Sequence, residues 1–219
     1  MRPLLLSLLA LPLCAADLQI SDLRLEIGRG EVSNYEATYR YQQGGNSMFA
    51  TQTLTSNKYD GDAPFAISAL YSRGKLDPVG FVWAAGIEYQ GSSEEVDGET
   101  FDTALVGAKV RGGIGWTPAP LWRLEATAEG HLGYISADDA DVTAGGDLDR
   151  AEATGNYSAL GLQVGAGYAF KGKWEVGVSL RALWYTATTD ADFDATGGSY
   201  EADLSWIFLS AAITGGYRF

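Results

Sequence analysis

The chain contains little of what most enzymatic and metal sites require. Cysteine occurs once, at Cys14, and histidine once, at His131. A single cysteine cannot form an intramolecular disulfide, and a single histidine excludes a metal site built from several histidines. Lysine and arginine number 15 against 28 aspartates and glutamates, so the formal net charge is -13. This acidic balance argues against nucleic acid as a partner.

Long apolar runs are also missing beyond the first 16 residues. From Asp17 onward no stretch of 18 or more apolar residues occurs, which excludes an ordinary membrane-spanning helix. The opening MRPLLLSLLALPLCAA combines one early cation, an apolar run and small residues, as a secretory signal peptide does. We predict that residues 1–16 are a cleaved signal peptide and that residues 17–219 form one domain. Lipidation of Cys14 is the alternative, although the bulky Leu13 stands where a small residue is required.

Alternation of apolar and polar side chains dominates the remaining sequence. In residues 79–90, for example, Val79, Phe81 and Trp83 share one parity, and Glu88 and Gln90 have the other. Clusters of Gly, Pro, Asp, Asn and Ser separate such segments, which indicates antiparallel strands joined in sequence order. The clearest predicted strands are Phe65–Ser72, Val79–Gln90, Phe101–Trp116, Leu121–Ser136, Asn156–Phe170, Lys173–Thr188 and Tyr200–Phe219.

The number of strands is open on the N-terminal side. One further strand around Tyr35 to Tyr41 makes eight, with residues 17–30 leading into it or extending it. Residues 23–27 also alternate, and Met48 to Thr55 has strand character, so that counting both segments gives ten. Both counts are even. Eight is the favoured number.

The connections between predicted strands alternate in length. Short links fall at Arg73–Pro78, Thr117–Pro120 and Lys171–Lys173. Longer acidic links fall at Gly91–Thr100, Ala137–Thr154 and Thr189–Ser199. Tight turns at one end and long loops at the other, with aromatic residues near both ends of the apolar faces, are typical of transmembrane β-barrels.

Together with the terminal pattern Ile213, Gly215, Tyr217, Phe219, these features resemble small Gram-negative-type outer-membrane β-barrels of the OmpA/OmpX-like superfamily. The resemblance implies a closed, antiparallel, up-and-down all-β barrel of eight strands, or of ten, with short periplasmic turns and longer acidic extracellular loops. It also implies location in the outer membrane, with both termini in the periplasm. In that family the barrel-assembly machinery reads an aromatic C-terminal residue with a tyrosine two places before it. Tyr217 and Phe219 are therefore the predicted assembly signal, and the expected partners are this machinery, outer-membrane lipids and lipopolysaccharide.

The polar face of the strands is predicted to fill the barrel interior. The interior of an eight-stranded barrel is just wide enough for its own side chains. Opposite charges are therefore expected to pair in a plugged lumen, and a narrow ion path is the alternative. The predicted lumen charge network consists of Arg40, Glu88, Lys109, Arg111, Arg123, Glu125, Glu129, Glu175 and Arg181.

The sequence predicts no catalytic residue, cofactor or metal site. Lipid A deacylase barrels place a serine two residues after a histidine, whereas this chain has Gly133 two residues after His131. Alternating aspartates within residues 138–149 and 190–194 can bind calcium but lack the EF-hand spacing, so solvated loops are favoured there.

The favoured function is a non-enzymatic barrel with a structural or surface-interaction role. The alternatives are a small pore or carrier for ions or apolar solutes, a lipid-modifying barrel enzyme and a secreted lipocalin-like barrel. No sequence motif identifies an extracellular ligand.

Overall fold

A computed structural model describes residues 18–42, 49–56, 62–96, 99–142, 148–170, 173–193 and 198–219. This part of the chain is built from strands that pair antiparallel with their neighbours. The strands are β1 (Leu18–Gln42), β2 (Phe49–Ser56), β3 (Phe65–Leu76), β4 (Val79–Val96), β5 (Glu99–Ala119), β6 (Trp122–Val142), β7 (Leu148–Phe170), β8 (Trp174–Phe193) and β9 (Gly198–Arg218). Within these ranges no helix is long and apolar enough to cross a membrane.

Eight of these strands close into a ring. The order is β1, then β3 to β9, and β9 pairs back onto β1 from Asp22 opposite Arg218 to Gln42 opposite Ser199. Strand β2 pairs with the distal part of β1, whereas β3 pairs with Leu18 to Arg29 of the same strand. The prediction of an eight-stranded closed barrel is thus confirmed. The segment near Met48 to Thr55 contributes strand β2 (Phe49–Ser56), but β2 is not one of the eight strands of the ring.

Short connections and both described chain ends gather at one end of the barrel. Asp77 and Pro78 link β3 to β4, and Pro120 and Leu121 link β5 to β6. At the same end the backbone N–H of Phe219 donates to the Ser21 carbonyl at 3.0 Å. We call this the turn end and the opposite end the loop end.

Strands extend further toward the loop end than predicted. Strands β4, β6 and β8 continue in register to Val96, Val142 and Phe193. Most residues of the stretches predicted as long acidic loops are therefore paired strand, so the predicted bounds of these loops are wrong. Where burial is described in these extensions, the inward positions are small, as at Ala153 and Ala191, whereas Glu152 and Asp190 are exposed on the outer face. The connecting residues 97–98, 143–147 and 194–197, which include Asp147 and Asp194, lie outside the described residues.

A bulge divides β1 into two parts of opposite parity. The register with β9 shifts between Ser33 and Glu36, and Asn34 has a φ of 50°. Asparagine tolerates this left-handed conformation better than most residues. Even-numbered residues such as Glu26 point inward before the bulge, and odd-numbered residues such as Ala37 point inward after it.

Large apolar side chains cover the outside of the barrel from the turn end to beyond its middle. We call this surface the apolar belt. On β7 it includes Leu160, Leu162 and Val164, which are 73%, 67% and 53% exposed. Soluble proteins rarely expose a continuous apolar surface of this size. The other large members include Leu23, Leu25, Ile27, Phe81, Trp83, Ile87, Val106, Val110, Ile114, Trp122, Leu132, Trp174, Val176, Val178, Leu180, Trp184, Leu209 and Ile213.

Candidate functional site in the barrel interior

Two layers of ion pairs lie inside the barrel at the level of the apolar belt. The lower ion layer, nearer the turn end, consists of Asp22, Glu125, Glu175, Arg24, Arg123 and Arg218. Arg24 Nη1 donates to Glu125 Oε2 at 2.9 Å, and Arg24 Nε donates to Asp22 Oδ1 at 3.1 Å. Arg123 Nη1 reaches the other oxygen of Asp22 at 3.1 Å, while Arg123 and Arg218 both hydrogen bond to Glu175.

The upper ion layer is organised around a fully buried lysine. It consists of Glu26, Glu88, Glu129, Lys109, Arg111 and Arg181. Lys109 Nζ lies 3.1 Å from Glu26 Oε2, 3.0 Å from Glu88 Oε2 and 3.3 Å from Glu129 Oε1. Arg111 Nη1 donates to Glu26 Oε1 at 2.6 Å, so that Glu26 is held by two cations. Arg181 Nη1 bonds to Glu88 and lies 3.4 Å from Glu129 Oε1.

Charge is balanced within each layer. Each one combines three carboxylates with three cations, so the formal charges cancel when His131 is neutral. A buried charge is costly unless it is paired and hydrogen bonded, and these contacts provide the pairing. Many of them also cross the interior, as from Lys109 on β5 to Glu26 on β1. The layers therefore connect strands that are not neighbours in the ring.

His131 lies beside the upper ion layer with both ring nitrogens near carboxylates. Its Nε2 is 2.7 Å from Glu129 Oε1, and its Nδ1 is 3.7 Å from Glu88 Oε1. Glu88, Glu129 and His131 are metal-ligating residue types whose ligand atoms lie within 4.8 Å of one another. The two carboxylates already pair with Lys109 and Arg181, however, and a divalent ion would add two positive charges to a balanced layer. The Lys109 ammonium already occupies the position beside these carboxylates that a metal ion would need, so this donor set does not fit a metal ion.

Ser68 lies in the same cluster but is not bonded to the histidine. Its hydroxyl donates to Glu88 Oε2 at 2.7 Å and accepts a hydrogen bond from Lys109 at 3.3 Å. In a serine–histidine pair the serine would instead bond to the histidine base. Ser68 and His131 are both buried as well. The contacts of Ser68 hold the charges of the upper ion layer in place.

A layer of aromatic and aliphatic side chains follows on the loop-end side of the ion layers. Tyr185 and Trp206 stack with their ring centroids 5.0 Å apart and 7° between the planes. The Tyr185 hydroxyl donates to Gln90 at 3.1 Å, and the guanidinium of Arg181 lies 5.4 Å from the centre of the Phe208 ring. The aromatic layer consists of Leu105, Ile135, Tyr157, Ala159, Leu183, Tyr185, Ala187, Trp206 and Phe208, all buried.

The polarity of both barrel faces reverses along the strands. On β8 the inward residue Arg181 is followed by the inward residues Leu183 and Tyr185. On the outer face of the same strand, Trp184 is followed by the exposed residue Thr186. The apolar side is therefore outside at the ion layers and inside at the aromatic layer.

Eight of the nine residues predicted for the lumen network lie in the two ion layers; Arg40 does not. Because the β1 bulge changes the parity, Arg40 points outward, where its guanidinium lies 2.7 Å from Asp203 and 3.3 Å from Glu201. Hydrogen bonding to Asp203, aided by both carboxylate charges, raises the pKa of Arg40 above its ordinary value. The eight residues inside are Glu88, Lys109, Arg111, Arg123, Glu125, Glu129, Glu175 and Arg181.

Sequence reasoning missed four members of the ion layers, namely Asp22, Arg24, Glu26 and Arg218. The first three alternate with Leu23, Leu25 and Ile27. That signal was present, but residues 17–30 were expected only to lead into or extend the first strand. Arg218 has inward parity in the same terminal stretch as Tyr217 and Phe219.

The predicted assembly signal ends the closing strand. The Tyr217 ring lies 5.0 Å from Trp174 and 5.9 Å from Phe219, centroid to centroid. Phe219 is 68% exposed on the outside of the turn end. Recognition of these residues by an assembly machinery stays a prediction.

No protein-family model and no curated protein matches the chain. Among solved structures, OprG from Pseudomonas aeruginosa shares 9% identity and a TM-score of 0.47, over 92% of this chain and 97% of that one. Neisserial surface protein A shares 12% identity and a TM-score of 0.38, over 90% and 97% of the two chains. Ail of Yersinia pestis, in complex with the heparin analogue sucrose octasulfate, shares 16% identity and a TM-score of 0.32, over 91% and 99%. All three identities lie below 25% and all three TM-scores below 0.5, so the eight-stranded closed ring of this chain rests on its own strand pairings.

Proposed function

We propose that this protein is an integral outer-membrane β-barrel, exported by a signal peptide, with a structural or surface-interaction role and no enzymatic activity. The observation that carries the proposal is the apolar belt outside the ion layers. A barrel in water would bury its apolar side chains and expose its charges. A membrane-spanning barrel requires the opposite, because its outer face meets lipid and its backbone groups pair within the ring.

The proposed orientation places the turn end in the periplasm and the loop end outside the cell. The reversal of polarity supports it. Beyond the belt the outer face carries Thr186, Thr188 and Asp203, and Thr188 Oγ1 donates to Asp203 at 3.2 Å. Such a face suits water, so the barrel would project past the membrane on this side. With this orientation both chain termini are periplasmic.

We further propose that the interior does not conduct ions. Support comes from the balanced ion layers, in which Lys109 and Arg123 are almost fully buried, and from the aromatic layer that follows them. An ion crossing the barrel would have to separate Lys109 from three carboxylates and then pass the stacked rings of Tyr185 and Trp206. A plugged lumen is the simplest consequence of these contacts.

A carrier for apolar solutes is the second candidate, and one observation favours it. Among the described pairings, β2 is paired with β1 and residues 92–96 of β4 are paired with β5, but no ladder joins β2 to β4. At this place, on the loop-end side of the belt, the described backbone contact with β4 is a hydrogen bond from the Asp62 N–H to the Ser93 carbonyl at 3.0 Å rather than a ladder. An apolar solute entering there would meet the aromatic layer rather than the ion layers.

Two measurements test these proposals separately. The membrane assignment predicts that the protein stays with the outer-membrane fraction after carbonate washing and migrates differently on gels when heated. A soluble fraction after washing would contradict it. The plugged lumen predicts no discrete current steps from refolded protein in planar bilayers, and reproducible single-channel steps would overturn it. Uptake of an apolar solute into cells, lost when β2 is deleted, would favour the carrier.

A further inference from the structure

Two adjoining grooves cross the apolar belt on the outer side of β7, β8, β9 and β1. Their volumes are about 830 and 590 Å³, and Arg29, Val164, Leu180 and Ala211 line both. We refer to the pair as the lipid-facing groove. It exists because outward positions that are large elsewhere in the belt are small here, at Ala211 and at Ala182 in the smaller groove. Apart from Arg29, the residues that line both grooves are aliphatic, so the groove suits a hydrocarbon chain.

Arg29 stands at the loop-end border of this groove. Along the outer face of β1 it follows Ile27, which is exposed in the belt, and precedes Glu31, which is also exposed. The strand register places Arg29 opposite Ala211, and Ala211 opposite Leu180. Arg29 is thus the first charged side chain that a hydrocarbon chain lying in the groove would meet toward the loop end.

The guanidinium of Arg29 is oriented but has no anionic partner in the described part of the chain. Its Nε donates to the carbonyl of Ala63 at 3.1 Å, and no described carboxylate lies within 4.0 Å of it. The other guanidinium nitrogens are donors suited to planar, two-point recognition of a phosphate. Glu31 lies two residues away and opposes an anion at this place.

We propose that the lipid-facing groove binds a phosphorylated lipid, with an acyl chain between β7 and β1 and the phosphate on Arg29. The proposal rests on the proposed membrane location, since it needs the belt to face lipid and the loop end to face the outer leaflet. Charge complementarity selects the occupant: a cation that has no anionic partner among the described residues, at the end of an apolar groove, fits an anionic headgroup joined to a hydrocarbon chain. A second copy of the chain would instead have to place a carboxylate at the membrane border.

The test measures lipid A binding to purified protein in detergent micelles by native mass spectrometry. Arg29→Gln removes the cation and should weaken binding about three- to tenfold. The matched control is Arg73→Gln, which removes an exposed arginine near the turn end and should leave binding unchanged. Glu31→Gln should strengthen binding about two- to threefold, because it removes a repulsion. Equal affinity of the Arg29 and Arg73 variants would overturn the proposal.

Two further arms separate the phosphate from the chain. Dephosphorylated lipid A should bind to the unaltered protein as weakly as lipid A binds to the Arg29→Gln variant. If lipid A and dephosphorylated lipid A bound equally to the unaltered protein, the phosphate would not be the group that is recognised. Inorganic phosphate alone should not compete with lipid A for binding, and effective competition would show that the acyl chain contributes nothing to binding. Ala211→Trp should fill the groove and weaken binding, whereas Ala128→Trp on the outer face of β6 should not. Failure of these arms leaves the carbonate-wash test of membrane location untouched, so the two proposals can fail independently.

Discussion

Replacing Lys109 tests whether the upper ion layer holds the barrel together. The Lys109 side chain is fully buried, and its ammonium lies within 3.3 Å of Glu26, Glu88 and Glu129. Lys109→Met keeps most of the volume of the side chain and removes the charge. The layer then contains three carboxylates and two cations, and a net negative charge lies inside the barrel.

The size of the effect follows from the contacts that remain. Breaking a buried ion pair by removing one partner costs about 3–5 kcal/mol, because the other charge stays buried and uncompensated. Each carboxylate here keeps a second cation, Arg111 for Glu26 and Arg181 for Glu88 and Glu129. The expected loss therefore lies at the lower end, about 3 kcal/mol of the free energy of unfolding.

The assay is urea unfolding of protein refolded into lipid vesicles, followed by tryptophan fluorescence. Lys75→Met, which changes an exposed lysine near the turn end, is the control and should change the free energy by less than about 1 kcal/mol. A double variant, Lys109→Met with Glu129→Gln, restores equal numbers of acids and bases. It should recover most of the stability that Lys109→Met loses, since a neutral filling can replace a buried ion pair at little cost.

Two results would refute this reasoning. If Lys109→Met lost less than about 1 kcal/mol, the layer would be hydrated and its charges screened. If the double variant were less stable than Lys109→Met alone, charge balance would not be the controlling quantity. In that case the shape of the side chains and their individual hydrogen bonds would matter more than the net charge.

Three further predictions use matched pairs of positions. A Cβ added at Gly161 would lie 2.0 Å from the Ala182 carbonyl oxygen, whereas one added at Gly165 would lie 3.4 Å from the Val178 carbonyl oxygen. Gly161→Ala should therefore lower the free energy of unfolding in vesicles by about 1–3 kcal/mol more than Gly165→Ala. Equal losses for the two variants would contradict the clash. Trp206→Ala should destabilise by about 3–5 kcal/mol, far more than Trp184→Ala on the exposed outer face, and the reverse order would argue against an apolar core at the loop end. Replacing Tyr217 and Phe219 with Ser should reduce the amount of barrel in the outer membrane, measured by immunoblotting of membrane fractions, whereas Thr214→Ser should not; equal amounts would count against an assembly signal.

Local alternation was enough to predict the barrel and most of the charged interior. Strands from β3 to β9 keep one parity throughout, so Glu88, Lys109 and Arg181 could be placed by counting. Arg40 could not, because one residue with a positive φ, Asn34, reverses the parity before it. Many asparagines in strands and turns show no such conformation, and the sequence alone therefore does not reveal the bulge.

The reversal of polarity explains the predictions that failed at the loop end. Trp206 and Phe208 have the same parity as the charged inward residues, so period-2 patterning places them inside the barrel. The pattern does not indicate that other apolar side chains surround them there. Period-2 reasoning assumes that the inner face keeps one character along the whole strand. This barrel does not, and its strand extensions combine acidic residues with small inward ones such as Ala153 and Ala191, a composition that is typical of loops.

The polarity of the barrel interior at each level is related to the medium that surrounds the ring at that level. In the proposed membrane location, lipid surrounds the ring at the level of the ion layers. Burial of apolar surface inside offers little advantage there, because the outer face is apolar already and the backbone is satisfied by strand pairing. The interior can then hold ion pairs such as Lys109 with Glu88. Where water surrounds the ring, the hydrophobic effect again requires an apolar core, and Leu183, Tyr185 and Trp206 provide it. The step from Arg181 to Leu183 inside and from Trp184 to Thr186 outside occurs at the same level of β8, and we infer that the outer surface of the membrane lies there.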